Sequence, residues 1–336
     1  MKKLLAFICV LYLLAAMVSG CSKSKTPAKA DLTAAPTGSD APATGPWADD
    51  PNGLHPMLYR VTGAGGQASY LFGTIHIGDE RIGQALTMLE PTLKTCTALA
   101  VEFDVIAYEQ NIAAQTSDML QFMLQDGTSV KDHMPEEVYQ QAKDLLSKAD
   151  LSPELMSYFN LAMWSQLVEQ AAVITQSKLR FENAMDRALI EKAGADGLEV
   201  RDVESAKFQY QLIASFPEEL NLLMIRKTLD GLSEYGEGVE ELYEAWCRGD
   251  AEKLRAINEE TDEDLTAEEQ KLVEDYNRKM LDERNLGMRD KFVQWLQAGD
   301  KVFFAVGAGH LVGEAGLVNL LRQAGYTVEP VRYHEG

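Results

Sequence analysis

From about Ala107 to Trp295 the apolar residues recur mostly at helical spacing, whereas the segments on either side run apolar over strand lengths. That split constrains the fold more than any other feature. Met57 to Thr62 and Ser69 to Gly73 read as strands separated by the turn "GAGG", and Leu99 to Phe103 as a third. The chain returns to this pattern at its end: Lys301 to Val306 reads as a strand, Leu311 to Ala324 as a helix and Tyr326 to Val331 as a strand. Such a strand–loop–helix–strand unit favours a parallel, right-handed crossover. Inside the helical region, Ser152-Pro153 has the form of a helix start, and Thr266 to Glu269 that of a capping box. One further strand is expected at Leu198 to Val203. The predicted class is α/β: a central β-sheet with functional loops at its strand ends, flanking helices and a large helical insertion.

The first 54 residues stand apart. "MKKLLAFICVLYLLAAMVSGC" has two lysines, an apolar stretch from Leu4 to Val18 and small residues before Cys21. It reads as a secretory signal, too short to span a membrane stably. Its ending, Val18-Ser19-Gly20-Cys21, resembles a bacterial lipobox, whose cysteine becomes the lipidated first residue of the mature chain. Ser22 in the next position points to the outer membrane, facing the periplasm or the surface. Residues 22–54 are rich in Ala, Pro, Thr, Ser, Asp and Gly, too poor in apolar residues to bury a core. They read as a linker reaching roughly 30 Å on average, which leaves 55–336 as the folded domain.

Charge narrows the partners. The whole chain carries a formal charge of -21, and losing Lys2 and Lys3 leaves 29 basic against 52 acidic residues. A surface this acidic repels phosphate backbones, so nucleic acid is excluded as an expected partner and membrane contact is assigned to lipid on Cys21. Cys96 and Cys247 are the cysteines left in the domain, too few for a disulfide framework. The acidic run "NEETDEDLTAEE" lacks the glycine and spacing of a calcium-binding loop and reads as a solvated helix start.

Two histidines share one context. Gly73-Thr-Ile-His76 follows one predicted strand and Gly307-Ala-Gly-His310 follows another, more than 230 residues later. In each G-x-x-H the glycine permits a tight exit from the strand. Ligands bind at the carboxyl ends of strands in open α/β sheets, so both histidines could face one site. A lone histidine in such a place is as a rule a packed structural residue; the repetition argues for function. His55, His133 and His334 have no such setting. Glu102 ends the apolar run "ALAVEFD", where a carboxylate near a buried strand end requires a compensating cation or metal. Imidazole with carboxylate is a ligand set for zinc, manganese, cobalt or iron(II), and an ion so held would polarise a carbonyl and activate water.

These residues carry a resemblance. "YLFGTIHIGD", "LAVEFD" and above all "VFFAVGAGHLVGEAGLVNLLRQAGYTVEPV" resemble the TraB/GumN family, over about Met57 to Tyr333. That family includes the Tiki metalloproteases and is related to the ChaN-like and erythromycin-esterase-like proteins. The resemblance implies an α/β fold whose strand-end motifs form one site beneath a helical cover. It also implies a divalent metal (Mn, Co or Zn) held by His76, His310 and Glu102, and hydrolysis of a peptide or protein substrate. "ENAMDRALI" resembles the family's segment with an aspartate near a helix start, at Asp186. "EVRDVES" resembles its short strand ending in a glutamate, at Glu204, although many members flank that residue with leucine and threonine. "DERNLGM" resembles its Arg-Asn pair, at Arg284 and Asn285, whose donors would suit a carbonyl or carboxylate. The bland alternative for these positions is pairing on helix surfaces.

Two competing functions follow. "AVGAGHLVG" resembles a dinucleotide-binding turn, with Glu329 twenty residues past Gly309. Its glycines are spaced G-x-G-x-x-x-G rather than G-x-G-x-x-G, and too little chain follows to complete a nucleotide-binding half-sheet. The stronger alternative to an anchored metallohydrolase is a non-catalytic protein that sequesters a peptide or a haem-like ligand, as some relatives are described as doing.

Overall fold

The computed structural model describes residues 53–63, 65–260 and 262–333. The signal segment, Cys21, nearly all of the linker and His334 lie outside the described residues. Six strands form one sheet: β1 Leu58–Thr62, β2 Ala68–Thr74, β3 Ala98–Val101, β4 Glu199–Asp202, β5 Val302–Gly307 and β6 Thr327–Pro330, in the order β4-β3-β5-β2-β1-β6. Strands β4, β3, β5 and β2 run parallel, and β1 lies antiparallel between β2 and β6. The α/β class expected from the sequence is the class observed, and a strand does interrupt the helical middle.

The central strands are apolar on both faces because both faces are covered. All four residues of β3 are buried, as are Val302 to Val306 of β5. The α-helices among the described residues are α1 Arg81–Leu93, α2 Val105–Gln110, α3 Ile112–Met119, α4 Glu136–Lys148, α5 Pro153–Met156, α6 Leu161–Gln176, α7 Met185–Asp196, α8 Ala206–Ala214, α9 Glu218–Asp230, α10 Leu232–Cys247, α11 Ala251–Asn258, α12 Ala267–Asn277, α13 Glu283–Ala298 and α14 Leu317–Gln323, of which α7, α13 and α14 pack directly on the strands. Phe292 of α13 stacks on Phe304 of β5 with ring centroids 4.4 Å apart. In the helical region α6 is the hub, buried along most of its length and packed against α4, α9 and α10. Gly236 of α10 lets the two helices close: a Cβ there would stand 2.0 Å from the Gln176 carbonyl oxygen. The helical region is also tied to the sheet directly, since buried Trp246 donates its indole N–H to the Gly73 carbonyl at 2.8 Å.

The C-terminal unit keeps the expected parallel direction but differs in detail. β6 runs parallel to β5 within the same sheet, as expected, yet not beside it: it passes β2 and β1 to pair antiparallel with β1 at the sheet edge. Both places beside β5 are filled by β2 and β3, and β6 buries only Val328 of its four residues, which suits an edge. The helix also begins at Leu317 rather than Leu311. Gly313 has φ +85°, and a Cβ on Gly316 would meet the Val312 carbonyl oxygen at 2.3 Å, so the chain turns tightly here before the helix can start. The Thr266 capping box is present as expected, with both reciprocal hydrogen bonds. Cys96 and Cys247 are both buried and unbonded to each other.

Candidate functional site at the strand ends

Parallel register aligns the two G-x-x-H motifs. Gly73 stands beside Val306 and Thr74 beside Gly307. The backbones then leave the sheet in contact, because a Cβ on Gly73 would lie 3.0 Å from the Ala308 Cα. Gly307 has a second use. Its N–H donates to Glu102 Oε1 at 2.9 Å, and a Cβ there would approach that oxygen to 3.2 Å. Glycine thus lets the strand-end carboxylate sit against the second loop.

Each histidine is held by a residue from elsewhere in the chain. The His76 loop is clamped on both sides. Gly78 exchanges both backbone hydrogen bonds with Arg180, and the Met185 N–H donates to the Ile75 carbonyl. This sets Asp186, in the first turn of α7, with Oδ1 3.2 Å from His76 Nδ1. Burial alone would lower the imidazole pKa, but the charge and hydrogen bond of Asp186, with Glu102 nearby, carry it up to about 9. His310 ends a 3-10 turn, Ala308–His310, and is buried. Its Nδ1 lies 2.7 Å from Asn285 Oδ1. The Asn285 amide has its orientation fixed by donating Nδ2 to the Ala315 carbonyl at 2.9 Å. Oδ1 is therefore the acceptor and Nδ1 carries the proton, which leaves His310 Nε2 with its lone pair 3.9 Å from Glu102 Oε1. Burial, reinforced by the Arg284 charge, pushes the His310 pKa down to about 3, so this ring is neutral.

The remaining residues form a charged bridge. Arg284 is 4% exposed. Its guanidinium donates to Glu102 Oε2 at 2.7 Å and, through Nε and Nη2, to both oxygens of Glu204 at 2.8–3.1 Å. Its Nη1 donates to the Met280 carbonyl. That carbonyl belongs to a π-helical turn, Arg278–Asp282, which joins α12 to α13, and Arg284 and Asn285 follow directly with both side chains turned inward. Burial opposes the Glu102 charge, but Arg284, protonated His76 and the Gly307 N–H hold its pKa well below the usual carboxylate range.

The structure therefore gathers all seven residues singled out in the sequence: His76, Glu102, Asp186, Glu204, Arg284, Asn285 and His310. Arg284 is buried rather than paired on a helix surface. Sequence reasoning missed Gln209, whose Nε2 donates to Glu102 Oε2 at 2.8 Å and to Glu204 Oε2 at 3.0 Å. One signal could have found it: it lies in the first turn after the Ser205 cap, on the short helix that Glu204 leads into.

Formal charges indicate what the cluster can accept. Three carboxylates (Glu102, Asp186, Glu204) face one guanidinium, and the excess is met in part by a proton on His76. A divalent cation is the charge that would balance it, and both imidazoles are braced at Nδ1, as metal-ligating histidines are. The donor chemistry thus fits a borderline divalent ion. Among the described residues, however, no three His, Cys, Asp or Glu side chains are already grouped to hold a metal. Arg284 and Gln209 occupy the carboxylate oxygens instead. Beside the cluster opens a cleft of about 660 Å³, with Asn285 and Gly309 in its wall.

Comparison with known proteins identifies the family. The TraB/PrgY/gumN family profile matches residues 57–330, and the chain belongs to that family. It is 27% identical over 263 residues to the uncharacterized protein YbaP of Shigella flexneri, covering 78% of this chain and 90% of that one. No solved structure matches significantly.

Proposed function

We propose that the protein is a metal-dependent hydrolase of peptide or protein substrates, anchored through Cys21 in a bacterial cell envelope, on the outer membrane. His76, His310 and Glu102 would hold the ion. The observation that supports this best is the state of His310: neutral, with Nδ1 committed to Asn285 and the Nε2 lone pair turned toward the strand-end carboxylate. The ion would supply Lewis-acid polarisation of a carbonyl. The chain's own residues do the rest. Asp186 and Asn285 orient the two imidazoles. Arg284 and Gln209 fix Glu102 and Glu204 by donating to their carboxylate oxygens.

Metal content of the purified protein, with turnover of an unfolded protein substrate in Mn²⁺, Co²⁺ or Zn²⁺, tests the reading beside His76→Ala and His310→Ala. Metal-dependent turnover lost in both variants is expected. A protein that holds none of these ions, gains no thermal stability from them and cleaves nothing would overturn it. The engagement of Glu102 and Glu204 by Arg284 favours a second reading, a non-catalytic protein that sequesters a peptide or haem-like ligand. Tight stoichiometric binding without turnover would select it.

A further inference from the structure

We infer that the cleft beside the histidine–carboxylate cluster is a binding groove for an extended polypeptide segment carrying lysine or arginine side chains. The inference takes the proposed function as its frame, because the groove ends on that site, but its test does not require turnover. One wall is the continuous rod of α12, the π-turn and α13. The other is α11 and the loop after His310. From Glu274 to Asn285 the rod runs eleven residues, roughly 16 Å at 1.5 Å per residue. That length accommodates about four or five residues of extended chain. The end at Asn285 and Gly309 is the end at which His310 is held.

The lining identifies the class of ligand. Leu281 and Val312 supply apolar surface. Around them stand Glu274, Asp282 and Glu314, all exposed at their side chains. The basic residues in the walls are already committed: Arg255 to Glu252 and Glu259, Arg278 to Asp275 and Glu283. The three rim carboxylates make no ion pair among the described residues. The groove is also held in shape, because Asn258 of α11 gives Nδ2 to the Gly309 carbonyl at 3.2 Å and so ties that helix to the loop that carries His310. An apolar floor beneath a carboxylate rim suits side chains with a methylene stem and a cationic head, which bury the stem and keep the head among anions. Acidic segments would be repelled from the same rim.

The test is equilibrium fluorescence anisotropy with the full chain and labelled hexapeptides, with no metal added. One peptide alternates leucine with lysine, one leucine with glutamate and one leucine with serine. The basic peptide should bind at least ~10-fold tighter than the other two, with affinity falling as salt rises. Glu274→Lys with Asp282→Lys should weaken it ~10-fold, and adding Glu314→Lys should reverse the preference toward the acidic peptide, all without moving the melting temperature. Glu136→Lys with Glu137→Lys, on the exposed start of α4, is the control for attraction to the acidic surface at large. Equal affinity for the three peptides would overturn the inference, as would groove reversals no more effective than the control pair. Because binding is read without turnover, a protein that cleaves nothing can still pass. An active hydrolase indifferent to charge would fail this inference and keep its proposed function.

Discussion

Replacing Arg284 by methionine removes the guanidinium and keeps much of the buried volume. Arg284 makes four hydrogen bonds to the carboxylates of Glu102 and Glu204 and one to the Met280 carbonyl. Without it two carboxylates face each other in a largely enclosed site, with Gln209 as their shared donor. Breaking one side of a buried ion pair costs about 3–5 kcal/mol, because the surviving charge is desolvated and unmatched. For a domain of this size each kcal/mol is worth roughly 2–4 °C, so melting should fall by about 6–20 °C. The pH dependence has a definite sign. In the native protein the Glu102 pKa lies below its unfolded value, so its contribution is present above about pH 4.3 and lost as pH falls. In Arg284→Met the carboxyl pKa rises instead, so the penalty is full at neutral pH and shrinks as the group takes up a proton toward pH 4. Chemical denaturation of metal-free protein at pH 7 and pH 4.5 measures both effects. Adding Glu204→Gln to Arg284→Met should recover about 1–3 kcal/mol by removing the like charge. A loss below about 1 kcal/mol, or one identical at the two pH values, would refute this account of the bridge.

Three other outcomes are expected. At pH 7, ¹⁵N NMR of labelled histidine should find metal-free His310 neutral with the proton on Nδ1; a proton on Nε2 would contradict its pairing with Asn285. His76 has a folded pKa of about 9, above the unfolded value near 6.5, so its pairing stabilises fully below about pH 6.5 and is lost as pH rises toward 9. The change is up to about 3 kcal/mol, seen in metal-free thermal melts and absent in Asp186→Asn. Gly236→Ala should destabilise by about 1–3 kcal/mol or more, since its methyl would meet the Gln176 carbonyl; an unchanged denaturation midpoint would show that α6 and α10 separate freely.

What the sequence made legible was local. Each G-x-x-H announced itself because a strand must end in a tight exit to deliver a histidine, and Glu102 because a carboxylate closing a buried apolar run demands a partner. Sheet order was not legible. Nothing in "YTVEPV" states that the places beside β5 are occupied, and that non-local fact sends β6 to the edge. The late start of α14 depends on a contact between Gly316 and the Val312 carbonyl, which periodicity does not report. Gln209 was hidden for a different reason. A glutamine on an amphipathic helix looks like surface until the two carboxylates it bridges are in place. The π-turn before Arg284 changes helical phase without changing composition, so the inward aim of Arg284 and Asn285 came from family resemblance rather than spacing.

The position of β5 governs the order in which this protein can be built. Strand β5 separates β2 from β3, yet it is synthesised more than two hundred residues after either. Until it emerges, β1 with β2 and β3 with β4 are two unconnected ribbons, and an isolated two-stranded ribbon is marginal in water. The helical middle can form early from local contacts, while closure of the sheet waits on contacts of long sequence separation and so comes late. A chain ending before Val302 would keep much of its helix and lack a joined sheet. The last thirty-odd residues therefore act as the keystone of folding, and the insertion that completes the sheet is the same event that brings His310 to the other six residues.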